Sequence, residues 1–153
     1  MGALELRIPP LVLVAVAALV MWLLAANVPA ASFDARGQGV AALAIAALGL
    51  FFCVAGVLEF RRARTTTNPM KPLATSSLVA RGVYRFSRNP MYLGFAAVLL
   101  GWAVYLGNPL SLLVLAGFIG YLTRFQIKPE ERTLVNLFGA EFVAYCGKVR
   151  RWI

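Results

Sequence analysis

Four stretches of this chain are almost free of charge, and polar segments separate them. The first runs from Leu11 to Val28, 18 residues without a charge. At helical rise it reaches about 27 Å, close to the thickness of a bilayer's hydrocarbon core. Pro9 and Pro10 precede it, where missing N–H groups cost little at a helix start. The second run, Val40 to Leu58, is also long enough to span. It is rich in Ala42, Ala46, Gly49, Ala55 and Gly56, and such small residues let helix backbones approach closely in lipid, so an interior helix is expected. Met91 to Leu106 and Pro109 to Leu122 are shorter. With Gly107-Asn108-Pro109 turning the chain between them, they predict a tight helical hairpin. Trp102 and Tyr105 fall near its tip, where interfacial aromatics are expected.

The charges lie in the connections. Arg7 precedes the first run, seven basic residues occupy the long connection 59–89, and six occupy the tail 124–153. Of 15 Lys and Arg, only Arg36 falls in the remaining loop, beside Asp34. Positive residues collect on the cytoplasmic side, so four spans with both termini cytoplasmic follow. The expected fold is an all-α integral membrane protein. A single domain, 1–153, has spans at about 11–28, 40–58, 91–106 and 109–122, a cytoplasmic loop 59–89 and a cytoplasmic amphipathic tail helix within 124–153. Val28-Pro29-Ala30-Ala31 loosely resembles a cleavage site. However, the first run exceeds a usual signal core and Glu5 suits its flank poorly, so a retained span is expected. A short chain with no recognisable organelle signal points to a bacterial inner membrane.

Composition narrows the chemistry. Hydrophobic residues make up 61% and charged residues 14%, an apolar excess that lipid rather than water would solvate. The net charge of +9 would suggest nucleic acid on a soluble protein. Here its placement between apolar runs accounts for it, and a membrane partner is expected instead. Cys53 is mid-span and Cys146 is in the tail, so no disulfide is expected. There is no histidine, which removes the commonest general base and metal ligand, and no metal site is expected. Arg36-Gly37-Gln38-Gly39 holds a GxG without a preceding strand and carries no nucleotide signal.

Two segments concentrate reactive side chains. Gly82 to Gly94 reads Gly-Val-Tyr-Arg-Phe-Ser-Arg-Asn-Pro-Met-Tyr-Leu-Gly. Asn89 is a natural N-cap and Pro90 suits the first helical position. Capping leaves the density of Tyr, Arg and Asn at one membrane entry unexplained. The second segment, Lys128-Pro129-Glu130-Glu131-Arg132, opens the tail helix, where acidic residues complement a helix N-terminus. At 100° per residue, Glu131, Val135, Phe138, Phe142 and Tyr145 fall within about 40° of one line, with Glu130 at its edge. A carboxylate on a membrane-proximal apolar face is costly without a partner, so a bound cation is a live hypothesis.

Together these segments resemble the isoprenylcysteine carboxyl methyltransferase family, which groups with the phospholipid N-methyltransferases. The family pattern is G-x-Y-x-x-x-R-H-P-x-Y-x-G, then a helical hairpin, then E-E-x-x-L-x-x-x-F-G-x-E-[YF]-x-x-Y and a basic end. This chain supplies Gly82 to Gly94, then Glu130-Glu131, Leu134, Phe138-Gly139, Glu141-Phe142 and Tyr145. The likeness runs from about Arg61 to Ile153, and the first two spans share hydropathy only.

The resemblance implies S-adenosylmethionine as methyl donor, held on the cytoplasmic side by the last two spans and the tail. It implies cofactor contacts at Ser76, Ser77, Leu78 and Val79, at Tyr84, across Asn89, Pro90, Met91 and Tyr92, and at a tail glutamate. Counting back from Phe138-Gly139 points to Glu130, whereas the wheel points to Glu131. A carboxylate suits the ammonium of the methionine moiety, and aromatic faces suit a sulfonium. Two departures stand out. Asn89 occupies the family's usual histidine position, and Gln126 stands where the carboxyl methyltransferases place a substrate arginine. Arg124, two residues earlier, is the alternative, so Arg124 and Gln126 are the expected substrate-binding residues. The acceptor is expected to be a lipophilic, membrane-embedded molecule with an amine, thiol, hydroxyl or carboxylate. An NADPH-dependent sterol-type membrane reductase and a non-enzymatic lipid-binding scaffold are the competing readings.

Overall fold

A computed structural model describes residues 5–29, 32–63 and 77–153. All regular structure among them is helical. Helix α1 spans Pro10–Asn27, α2 Gln38–Arg62, α3 Pro90–Leu106, α4 Leu110–Leu122 and α5 Lys128–Lys148. A 3₁₀ turn, Gly82–Arg85, precedes α3, and a π turn, Thr123–Ile127, joins α4 to α5. Among the described residues, three helical stretches are long and apolar enough to cross a membrane: α1, α2 and the continuous run Leu110–Lys148. Helix α3 is apolar but shorter, at 17 residues. Helix α2 runs beyond the expected end at Leu58 and carries Glu59 to Arg62 as a further turn.

The bundle is held by backbone approach on one side and by side-chain packing on the other. Ala42, Ala46, Gly49, Cys53 and Gly56 recur every three or four residues along α2 and form one stripe. Opposite them on α3 lie Gly94 and Gly101. A Cβ on Gly49 would sit 2.6 Å from the Gly94 carbonyl oxygen, and one on Gly101 would sit 2.7 Å from that of Ala42. Only the small side chains of Ala46, Cys53 and Ala97 flank these points, so close backbone approach and its dispersion energy are what this contact gains. Helix α1 instead packs across α3 and α4 through larger residues, with Met21, Leu99, Leu122 and Ile127 fully buried. Leu11, Val16, Trp22, Val40, Leu43, Phe51, Leu112 and Leu113 are exposed on the outside. An apolar exterior around a small-residue interior suits lipid as the solvent.

Polar groups close the end of the bundle remote from the 3₁₀ turn. Gly107 has φ +63°, a left-handed conformation glycine adopts freely, and ends α3. The buried Asn108 side chain accepts from the Leu110 N–H (3.0 Å) and donates to the Val28 carbonyl and Ser32 hydroxyl (3.1 Å each). The hairpin turn is thereby tied to the end of α1. The Trp102 ring stacks on Tyr105, and its N–H donates to the Ala18 carbonyl (3.1 Å).

The π turn has a covalent cause. Pro129 has no N–H and its ring clashes with the carbonyl four residues back. That carbonyl, on Phe125, instead accepts from the Leu6 N–H (3.0 Å), while the Lys128 N–H reaches five residues back to Thr123. Helices α4 and α5 are therefore continuous, and Glu130 and Glu131 do not sit at a free helix N-terminus as the Lys-Pro-Glu-Glu motif suggested. Within α5, Gly139 (φ +50°, ψ −124°) breaks the register. The expected apolar line splits accordingly: Phe142 and Tyr145 are buried, whereas Val135 is exposed.

The backbone contact gives a direct test. Gly94→Leu would drive a side chain into the α2 backbone at Gly49 and Cys53 and should destabilise the detergent-solubilised protein by about 2–3 kcal/mol. Gly117→Leu, where a Cβ meets nothing within 4 Å, should leave the thermal midpoint unchanged.

Candidate functional site

At the end of the bundle marked by the 3₁₀ turn, three elements converge: the last turn of α2, the segment Leu78–Asn89 leading into α3, and the first turns of α5. Tyr92, one turn into α3, is buried, and its hydroxyl donates to Glu130 Oε1 at 2.6 Å. Tyr84, in the 3₁₀ turn, is also buried, with its ring edge-on to Phe60 of α2 (5.4 Å). The Tyr84 carbonyl accepts from the Tyr145 hydroxyl (2.6 Å), which pins the turn to α5. Burial pushes the Tyr84 phenol well above the ordinary tyrosine range, and Tyr145, Glu130 and Glu59 push it further. It therefore stays a neutral donor near two carboxylates.

The two adjacent glutamates have opposite surroundings. Glu131 takes a two-point contact from Arg151 (2.7 and 3.1 Å) and a second guanidinium, Arg88, at 3.4 Å. The hydrogen bonds that Arg151 donates to Glu131 raise its own pKa. Arg88 also donates to the Cys146 sulfur. Glu130 has none of this: among the described residues no Lys or Arg pairs with it, and the Tyr92 hydroxyl is its hydrogen-bond partner. A one-residue step along a helix turns the side chain by 100°, which separates a structural carboxylate from one left without a cation.

The remaining expected residues fall in several settings. The Asn89 side chain makes no helix cap; its amide donates to the Arg151 carbonyl (2.9 Å), which also receives the Ser87 hydroxyl (3.4 Å). With the Arg88 N–H on the Arg150 carbonyl (3.0 Å), these bonds lay the chain's last residues across the start of α3. Pro90 is buried at the first turn, and the Met91 side chain packs over Gly56. Val79 is buried, Leu78 joins the Phe142–Tyr145–Val149 cluster, and Ser77 donates to the Ala63 carbonyl (3.3 Å). Ser76 lies outside the described residues. Gln126 is fully buried one turn before Glu130; its amide nitrogen donates to the Ile8 carbonyl (2.7 Å), and its oxygen has no donor among the described residues. Arg124 turns outward to Glu5 (3.7 Å), away from Gln126. The structure thus brings Tyr84, Tyr92 and Glu130 together and sends Arg124 elsewhere.

Glu59 and Arg151 were not singled out in the sequence. Glu59 is buried at the end of α2, bonded to Arg62 (2.8 Å) and Arg81 (3.1 Å). An acidic residue closing an apolar run was the available signal. For Arg151 only the basic character of the tail hinted at a partner for Glu131.

The profile of the phospholipid methyltransferase family matches residues 38–141, from the start of α2 through most of α5. The chain belongs to the phospholipid methyltransferase family. Among relatives, the protein-S-isoprenylcysteine O-methyltransferase of Saccharomyces cerevisiae is 44% identical over 75 residues, 47% of this chain and 30% of that protein. The mouse protein-S-isoprenylcysteine O-methyltransferase is 35% identical over 75 residues, 49% of this chain and 26% of that protein. An uncharacterized protein of Haemophilus influenzae is 44% identical over 63 residues, 41% of this chain and all of that protein. The matches therefore take in less than a third of these two isoprenylcysteine methyltransferases. No solved structure matches significantly. Membership, with three membrane-length apolar helices, makes this an integral membrane protein of the phospholipid methyltransferase family.

The two glutamates should respond oppositely to neutralisation. Glu131→Gln leaves two guanidinium groups facing an amide and should lower stability by about 1–2 kcal/mol, allowing for solvent screening at Arg151. Burial pushes the Glu130 carboxyl up to about 8, so Glu130→Gln removes a group whose charged form is costly there while keeping an acceptor for Tyr92, and its thermal midpoint in detergent should equal or exceed that of the parent.

Proposed function

We propose that this protein transfers a methyl group from S-adenosylmethionine to a lipophilic acceptor embedded in the membrane. The observation that carries this is the Glu130 carboxylate, hydrogen-bonded to Tyr92 and without a basic partner among the described residues, where the two motif segments meet in a chain of a methyltransferase family. A carboxylate removed from bulk water favours a positively charged ligand, and S-adenosylmethionine is cationic at its sulfonium and its amino group.

Glu130 and Tyr92 would hold the ammonium end, and the buried Tyr84 would offer its ring and hydroxyl. Ser76, Ser77, Leu78 and Val79, with Asn89, Pro90 and Met91, would line the rest. The two arginines on Glu131 give that residue the separate task of fixing the chain's end over the site. When bound, the cofactor supplies a methyl group attached to a good leaving group. The chain's own work is then to bind, align and exclude water, because displacement at carbon depends strongly on alignment and needs no histidine. An acceptor bearing an amine, thiol, hydroxyl or carboxylate would approach from the bilayer, with Gln126 facing it from inside the bundle.

The same reading assigns four spans in a bacterial inner membrane, α1 to α4, with both termini and α5 cytoplasmic. The positive-inside distribution of charge supports it. An NADPH reductase is less compatible, since the unpaired Glu130 carboxylate would repel phosphate groups. A lipid-binding scaffold would leave Glu130 without a task.

Calorimetric titration of the detergent-purified protein with S-adenosylhomocysteine, and in parallel with NADPH, tests the assignment. Saturable binding of S-adenosylhomocysteine alone is expected, with affinity falling at least about tenfold in Glu130→Gln, the scale of one charge-assisted hydrogen bond. NADPH binding alone, or silence from both in a folded sample, would overturn it.

A further inference from the structure

We infer that Glu59 is a positioning residue for this site: its carboxylate clamps the Arg81–Gly82 corner against the end of α2, and the clamp sets Tyr84 beside Glu130. The consequence for affinity rests on the cofactor reading above; the clamp itself rests on contacts alone.

Glu59 is only 7% exposed although it follows directly on the apolar run of α2, a costly place for a charge. Arg62, one turn on, bonds one oxygen at 2.8 Å, and its side chain is mostly solvated. The other oxygen reaches 22 residues along the chain to Arg81 Nε at 3.1 Å, and that side chain too is more than half solvated. The corner sits directly on the carboxylate. A Cβ on Gly82 would lie 2.7 Å from both Cδ and Oε1 of Glu59, and Gly82 has φ +58°. The left-handed conformation is what calls for glycine here, and the Glu59 carboxylate fills the space that a side chain would take.

Two residues later comes Tyr84, and every support it has on α2 lies within one turn of Glu59. Its ring meets Phe60, and its hydroxyl lies 3.6 Å from where a Cβ on Gly56 would be. Tyr145 holds its carbonyl from the opposite side. Releasing the corner would leave Tyr84 attached to α5 and free to slide on α2. A carboxylate that merely satisfied Arg62 would need no such seat for Gly82.

Glu59→Gln, Arg81→Gln and the double variant test this by amide hydrogen exchange and S-adenosylhomocysteine calorimetry on the detergent-solubilised protein. Each single substitution should speed exchange at Tyr84 and Phe86 about tenfold while α3 and α5 stay protected. Each should weaken S-adenosylhomocysteine binding about tenfold, and the double variant should be no worse than either single. Parental exchange at Tyr84 and Phe86, or losses that multiply in the double variant, would overturn the clamp. So would faster exchange across the whole chain, which would make Glu59 a general stability residue. If the parent itself fails to bind S-adenosylhomocysteine, the cofactor reading falls and the exchange measurement still decides the clamp.

Discussion

Pro129 has no backbone hydrogen to give, yet it lies inside a continuous helical run from Leu110 to Lys148. The carbonyl it leaves unpaired, on Phe125, sits where the apolar helix meets the charged one, so some other N–H has to reach it. Leu6 supplies that N–H, and Gln126 beside it takes hold of the Ile8 carbonyl. The N-terminal segment is therefore stitched to the π turn before α1 begins. The wider turn also resets the helix. One added residue rotates everything downstream by about 100°, which decides which side of α5 faces the bundle. Glu130 comes to point at Tyr92, and Glu131 at Arg88 and Arg151.

From that rotation follows the distribution of charge. The chain has 15 basic and six acidic residues, so a carboxylate has ample opportunity to find a cation. Glu5, Glu59 and Glu131 each lie within ion-pair distance of two guanidinium groups. Asp34 and Glu141 are exposed and need none. Glu130 is the partly buried acid that the described basic residues do not pair with. Burial pushes the Glu130 carboxyl up to about 8, and an arriving cation would favour its charged form, because Coulomb attraction is strong in a site sheltered from water. Sign selection, more than shape, is what this end of the bundle offers.

How much of this was legible in the amino acids depends on how local its cause is. Apolar runs of membrane length and the Gly107-Asn108-Pro109 turn are properties of short stretches, and helices form over each run. The small-residue stripe of α2 was legible as an interior face, though its partner, Gly94 and Gly101 of α3, was not, since pairing of faces is a long-range property. The wheel drawn through α5 assumed one unbroken helix, and the turn at Gly139 ended its validity. Its choice of Glu131 identified an acid on an inward face, but it could not show that two arginines, one of them 20 residues later, already occupy it. Asn89 was legible as a cap because Asn-Pro is a common helix start. The cap fails because the Arg151 carbonyl, brought in by the tail, is a competing acceptor for its side chain.

Asn89 also bears on what the missing histidine means. Its amide donates to a backbone carbonyl of the same chain, and the neighbouring Ser87 hydroxyl points at that carbonyl too. A neutral imidazole carries one N–H donor and could make the same bond, so asparagine keeps the donor and gives up only basicity. Basicity has no use at an atom already directed at the Arg151 carbonyl. The residue fixes the position of the chain's last turn, and through Arg151 the seat of Glu131. At this one position the amide that stands in place of the motif's histidine donates to the chain's own backbone. Glu130, on α5, is by contrast held by the Tyr92 hydroxyl and left unpaired by the described basic residues.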